Sequence, residues 1–224
     1  MSGARPKIIY FDLRGRVEPI RLAFEELGEA YDEDRVSPAR WQTMKAETPF
    51  GALPIYQEGD LCFPQTLAIY QHIARTRGLY GLGEADHVAV DVVINAIDEA
   101  IGVVWTHFWQ PDAKAQADAF ANGGLETVLS RLERFYLEAG PTPGAWAGDT
   151  LTFADILAFR FLDEIDAFFP QALGRHARMA DFHARFAARP RIDAYVASGR
   201  RPAAFGVGAD GPKLDPRSPA VSPA

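Results

Sequence analysis

The chain of 224 residues has almost no cysteine, and Cys62 stands alone. A single thiol excludes an intrachain disulfide and any redox mechanism built on paired cysteines, and it suits a reducing, cytoplasmic setting. Positive charge is also in deficit. With 23 Lys and Arg against 30 Asp and Glu the net charge is −7, whereas a nucleic-acid binder needs clustered basic residues. No apolar run approaches the ~20 residues of a membrane-spanning helix, and Met1–Pro6 holds no apolar stretch of signal-peptide length. The five histidines lack paired ligand spacing, so no metal site is expected. What remains is a globular balance, 48 % hydrophobic and 24 % charged, in a chain long enough for one large domain or two modest ones.

The first eighty or so residues alternate strand and helix signals. Lys7–Phe11 is a short β-prone run, and Val17–Leu27 places Ile20, Phe24 and Leu27 on one helical face. Pro19 suits the first turn of that helix and Gly28 the position just past its end. Tyr31–Arg35 reads as a weaker strand. Ile55–Glu58 and Leu61–Phe63 flank Gly59-Asp60, a hairpin signal, and Gln65–Thr76 is again helical. The order βαβ then ββα is that of a thioredoxin-like domain, expected over residues 5–82. The glycine-bearing stretch Arg77–Gly83 is the best linker in the chain.

Beyond it an all-α domain is expected over residues 83–200. Val90, Val93, Ile97, Ile101, Val104 and Phe108 make a long stripe at three- and four-residue spacing, a helix of about six turns. A second helix is predicted over Ala115–Ala139. Leu151–Ile156 resembles a capping box, with Thr152 and Asp155 as its polar pair and Leu151 and Ile156 as its staple. Met179–Ala187 and Arg191–Ala197 give two short final helices. The tail 201–224 is rich in proline and small residues, and it is expected to be extended or partly disordered.

Four motifs carry chemistry, in order along the chain. Tyr10 ends the first strand and is followed by Asp12-Leu13-Arg14-Gly15-Arg16. Trp41 and Lys45 lie four apart on a short helix. Pro49-Phe50-Gly51-Ala52-Leu53-Pro54 precedes a strand, and Gln65-Thr66 precedes a helix whose free amides favour a carboxylate. Taken singly, each has a plainer explanation. Tyrosines end strands with satisfied hydroxyls, Trp/Lys pairs pack on surfaces, and Gln65-Thr66 is also an ordinary helix start. Together, from Lys7 to Ala197, they make the chain resemble the cytosolic glutathione S-transferases of the tyrosine type, closest to the sigma, pi, mu and alpha group.

The resemblance implies an α/β thioredoxin-like domain joined to an all-α domain, and a homodimeric detoxification enzyme. Glutathione would be its co-substrate, a small apolar electrophile its second substrate, and no metal would take part. It implies that Tyr10 donates to the glutathione sulfur and that Arg16, more than Arg14, supports the thiolate. Between Phe11 and Pro19 there is no Ser, Thr or Cys to play the part that serine- and cysteine-type relatives assign to that stretch. Trp41 and Lys45 would hold the glycyl carboxylate. A cis Pro54 would turn the Leu53 backbone to the cysteinyl segment, and Gln65 and Thr66 would hold the γ-glutamyl carboxylate. Ala52 departs from the polar residue common in relatives. Asp98, or Glu99 one position on, would reach the ligand's amino group across the dimer. Phe11, Leu13, Trp105, Phe108 and Trp109 would wall the electrophile pocket, although core packing explains Trp105 and Phe108 as well. Phe50 would anchor the dimer between two helices of the second subunit. Isomerase or peroxidase chemistry at the same site, or a non-catalytic ligand-binding role, remain as alternatives.

Overall fold

The computed structural model describes residues 4–108, 119–139, 145–208 and 211–217. Strands β1 (Lys7–Phe11), β2 (Asp32–Val36), β3 (Ile55–Glu58) and β4 (Leu61–Pro64) form one sheet in the order β2-β1-β3-β4. β1 and β2 run parallel across helix α1 (Glu18–Leu27), and β3 and β4 are antiparallel to their neighbours. Gly59, at the hairpin between them, has the positive φ that such turns demand. Helix α2 (Pro38–Met44) starts on Ser37, whose hydroxyl accepts from Arg40 N–H at 3.2 Å. Helix α3 (Thr66–Thr76) follows β4 directly.

The two-residue period of a strand sorts β1 between two cores. Ile8 and Tyr10 face α1, α3 and the helical half of the molecule. Ile9 and Phe11 face the other way, into a small cluster with Val36, Ile55, Trp41 and Leu53. One strand therefore presents a phenol to one side and an apolar ring to the other.

The helical half consists of α4 (Glu84–Phe108), α5 (Gly124–Ala139), α6 (Phe153–Phe168), α7 (Pro170–Gly174), α8 (Ala177–Ala187) and α9 (Pro190–Val196). The stripe Val90, Val93, Ile97, Ile101 and Val104 is buried as its spacing requires. Helix α6 is the central member, with 14 of its 16 residues buried, so its charged residues must find partners inside the protein. At its start Asp155 accepts from the backbone N–H groups of Thr152, at 2.9 Å, and Trp146, at 2.8 Å.

The C-terminal stretch is more organised than its composition suggests. Strands β5 (Ala204–Gly208) and β6 (Gly211–Leu214) pair as an antiparallel hairpin. The hairpin docks by main chain on the loop after β1: Arg14 N–H donates to Ala204 O at 2.8 Å and Gly15 N–H to Phe205 O at 2.7 Å. Gly206 lies flat on the Trp105 ring, where a Cβ would come within 1.7 Å.

Candidate active site

Three strand ends meet at one edge of the sheet. The β1–β3 ladder closes at Ile9 opposite Ile55, and the β3–β4 ladder at Ile55 opposite Pro64. One residue further on each strand come Tyr10, Pro54 and Gln65, which therefore lie in a row. The Leu53–Pro54 bond is cis, as the sequence led us to expect. Gln65 has φ +82° at the head of α3, a backbone conformation that costs a non-glycine residue free energy and that the surrounding structure must hold in place. Thr66 is buried behind it, and the first amides of α3 point out of the helix end.

Tyr10 is enclosed by the loop that follows it. Gly15 has φ +43°, and a Cβ there would stand 2.6 Å from the Tyr10 hydroxyl, so only glycine lets the chain cross so close. Arg16 N–H approaches the same oxygen at 3.4 Å. Burial pushes the phenol's pKa up, and the Arg16 amide and the charges of Arg16, Arg160 and Arg21 only partly oppose this. The hydroxyl keeps its proton through neutral pH and is available as a donor.

The two loop arginines have separate fates. Arg16 reaches α4, where its Nη1 donates to Asp98 Oδ1 at 2.6 Å, and Tyr70 holds the Arg16 carbonyl through its hydroxyl. Glu99 is exposed. Arg14 is buried and turned away from the site. Its Nε donates to Pro202 O at 2.7 Å, its Nη1 to Asp215 Oδ2 at 2.9 Å, and its guanidinium stacks 4.1 Å over the Phe205 ring.

Beside the Tyr10 hydroxyl opens a cavity of about 360 Å³. Phe11, Leu13 and Trp105, all expected at the pocket, line it together with Arg16. Trp109 and the Phe108 side chain lie outside the described residues. Several of the walls have no clear mark in the sequence: Ile101 and Gly102 of α4, Arg160 of α6, and Gly206 and Val207 of the hairpin. The signal for Arg160 was a single charge inside the apolar run Ile156–Leu162, with Glu164 one turn on. The hairpin gave only one large aromatic, Phe205, in an otherwise small-residue tail.

The remaining expected residues lie around the same edge. Trp41 packs edge-on against Phe11, with centroids 5.8 Å apart, and borders a second, open groove with Phe11 and Leu13. Lys45 is exposed at the end of α2, beside Gly51 and Thr48. Phe50 has φ +58° and is 80 % exposed. Cys62 is exposed on β4 rather than buried in its strand as its type suggests. Among the described residues no cluster of three or more His, Cys, Asp or Glu could hold a metal ion, and no helix is long and apolar enough to cross a membrane.

A thioredoxin-like sheet with a phenol at its ligand edge, joined to a helical wall, defines a class of glutathione-using enzyme. Residues 6–75 match the family model of the glutathione S-transferase N-terminal domain and residues 99–199 that of the C-terminal domain. The chain is 32 % identical over 192 residues to a glutathione S-transferase P of Caenorhabditis elegans, covering 85 % of this chain and 91 % of that protein. It is 27 % identical over 202 residues to the human glutathione S-transferase P, with the same coverage. The solved pi-class glutathione S-transferase of Onchocerca volvulus superposes with a TM-score of 0.80 at 27 % identity, over 85 % of this chain and 91 % of that one. The chain belongs to the glutathione S-transferase family, on the side of the pi and mu classes, and it is a transferase that uses glutathione.

Proposed function

We propose that the enzyme binds glutathione along the row Tyr10, Pro54 and Gln65 and activates its thiol as the thiolate through a hydrogen bond from Tyr10. The thiolate then attacks a small apolar electrophile held in the adjoining cavity. The observation that carries this reading is the placement of the Tyr10 phenol, its pKa pushed up by burial, under the Gly15 loop at a cavity whose walls are apolar apart from Arg16 and Arg160. A free thiol titrates near ~8.5 and is mostly neutral at pH 7. A donor aimed at the sulfur favours the charged form, and the nearby cations Arg16 and Arg160 add to that preference.

In this reading residues 5–82 supply the glutathione site and residues 83–200 the helical wall, with the hairpin of the tail closing the cavity. Gln65, Thr66 and the amides at the head of α3 take the γ-glutamyl carboxylate. The backbone of Leu53, exposed by the cis bond to Pro54, pairs with the cysteinyl unit as an added strand. Lys45 and the Trp41 indole take the glycyl carboxylate. Asp98 has a first task within its own chain, holding Arg16 beside Tyr10. Reaching a partner subunit's ligand would require it to share that bond. The second subunit completes a homodimer, and a reducing cytoplasm supplies the glutathione and keeps Cys62 a thiol.

The test is the thiolate absorbance of the enzyme–glutathione complex as a function of pH. In the wild type it should titrate well below ~8.5. Tyr10→Phe keeps the ring and removes the donor, so the midpoint should rise toward that of the free thiol and turnover should fall, while glutathione still binds. An unchanged midpoint with unchanged turnover would remove Tyr10 from the mechanism.

A further inference from the structure

Arg160 is the one charged side chain of α6 that lines the apolar cavity among the described residues. Its side chain is 3 % exposed, yet Nε and Nη1 have no hydrogen-bond partner among those residues. Glu164, one turn along, brings Oε2 to 2.7 Å from Arg160 Nη1 and so balances the charge, but not in the alignment of a hydrogen bond. Burial holds the Glu164 carboxyl above its usual range, opposed mainly by Arg160, and Glu164 is not among the residues that line the cavity. A guanidinium carries five donors and no acceptor, and unmatched donors in a dry site are costly. Glu164 accounts for a positive charge on this face of α6, but it leaves these donors unmatched, and the neighbouring Leu157, Phe161 and Leu162 are buried and apolar and offer no acceptor side chain.

We propose that Arg160 is a specificity residue, and that it selects electrophiles carrying a carboxylate on the end remote from the reacting carbon. The proposal rests on the glutathione transferase reading given above and refines its electrophile from an apolar body to an apolar body with an anionic tail. The cavity holds Tyr10 and Arg16 along with Phe11, Leu13, Ile101 and Trp105, so thiolate, apolar ring and carboxylate each meet a matching surface. The planar fork of arginine suits a carboxylate, and a site built to bond a polar group discriminates strongly against analogues that lack it.

The probes are chlorodinitrobenzene and its analogue in which the nitro group para to chlorine is replaced by carboxylate. In both, the glutathione sulfur forms a bond to the ring carbon, and the C–Cl bond breaks with chloride carrying off the electron pair. Each kcat/KM is divided by the uncatalysed rate with glutathione, which removes the difference in intrinsic reactivity. The wild type is expected to favour the carboxylate by about tenfold or more. Arg160→Met/Glu164→Gln, which removes both members of the buried pair, should bring the ratio down to about one, and Arg160→Lys, which keeps the charge without the fork, should fall between. The wild-type ratio alone decides if the double variant fails to fold. Turnover of the neutral probe with no preference for the carboxylate overturns the proposal and leaves the transferase reading intact. So does a folded double variant that keeps the preference, or one that shifts only the thiolate titration. Turnover of neither probe, with no ionised thiol in the complex, overturns both.

Discussion

Gly15 decides how close a loop can pass to a phenol. Its φ of +43° and the 2.6 Å that would separate a Cβ from the Tyr10 oxygen both select glycine. The second contact such a Cβ would make, Leu13 Cδ1 at 2.6 Å, is the far end of a side chain that can swing away. The phenol is stiffer, a buried ring that a Cβ would meet at both its oxygen and its Cε1. Gly15→Ala is expected to cost about 1–2 kcal/mol of stability from the left-handed backbone alone. It should also displace the phenol from the sulfur, raising the thiolate midpoint toward that of Tyr10→Phe. Thermal melts and the same absorbance titration read the two effects separately. A variant that melts lower but titrates like the wild type would show that the loop does not position Tyr10. In the sequence the glycine was only one position of the segment after the first strand, because a requirement set by a side chain five residues earlier leaves no periodic trace.

Most elements of the first half were legible, since their signals are local. Strand alternation, Pro19 and Gly28 around α1, and Gly59-Asp60 at the hairpin each act within a few residues. The buried stripe of α4 was equally plain. What stayed hidden depends on contacts across the chain. The β5–β6 hairpin has no hydrophobic period because it is held by main-chain bonds to the loop after β1 and by ion pairs to α6. Arg14, on the loop after β1, binds Asp215 at 2.9 Å, and Arg217 binds Asp215, Asp163 and Asp166 at 2.7–3.1 Å. Burial alone would raise the Asp215 carboxyl, but the hydrogen bonds from Arg217 and Arg14 bring it below its usual value. A depressed carboxylate contributes stability that is fully present above its unfolded pKa, near ~3.9, and is lost as pH falls through the folded value. Asp215→Asn should therefore destabilise the enzyme by about 1–3 kcal/mol at pH 7, and the gap between variant and wild type should narrow below pH ~4. Denaturant titrations across that range test it. A gap independent of pH would mean that the hairpin does not rely on the Asp215 charge.

At the scale of the whole molecule, the exposed side chain that stands out is Phe50. It is 80 % exposed and held at φ +58° between Pro49 and Gly51, so an apolar ring is presented to solvent at the expense of backbone strain. In a two-fold dimer the contact would occur twice, each ring entering the other subunit. An aromatic anchor in a pocket loses on the order of 2–4 kcal/mol when truncated, and two copies would double the effect on association. Phe50→Ala should leave the fold of the single chain intact, because the ring touches little of its own subunit, and should shift the enzyme strongly toward monomer. Glutathione binding should weaken with it, since Lys45 sits beside Gly51 in the same loop. Sedimentation at micromolar concentration, with and without glutathione, reads both consequences. A wild-type chain that sediments as a monomer, or a Phe50→Ala dimer as tight as wild type, would refute the anchor.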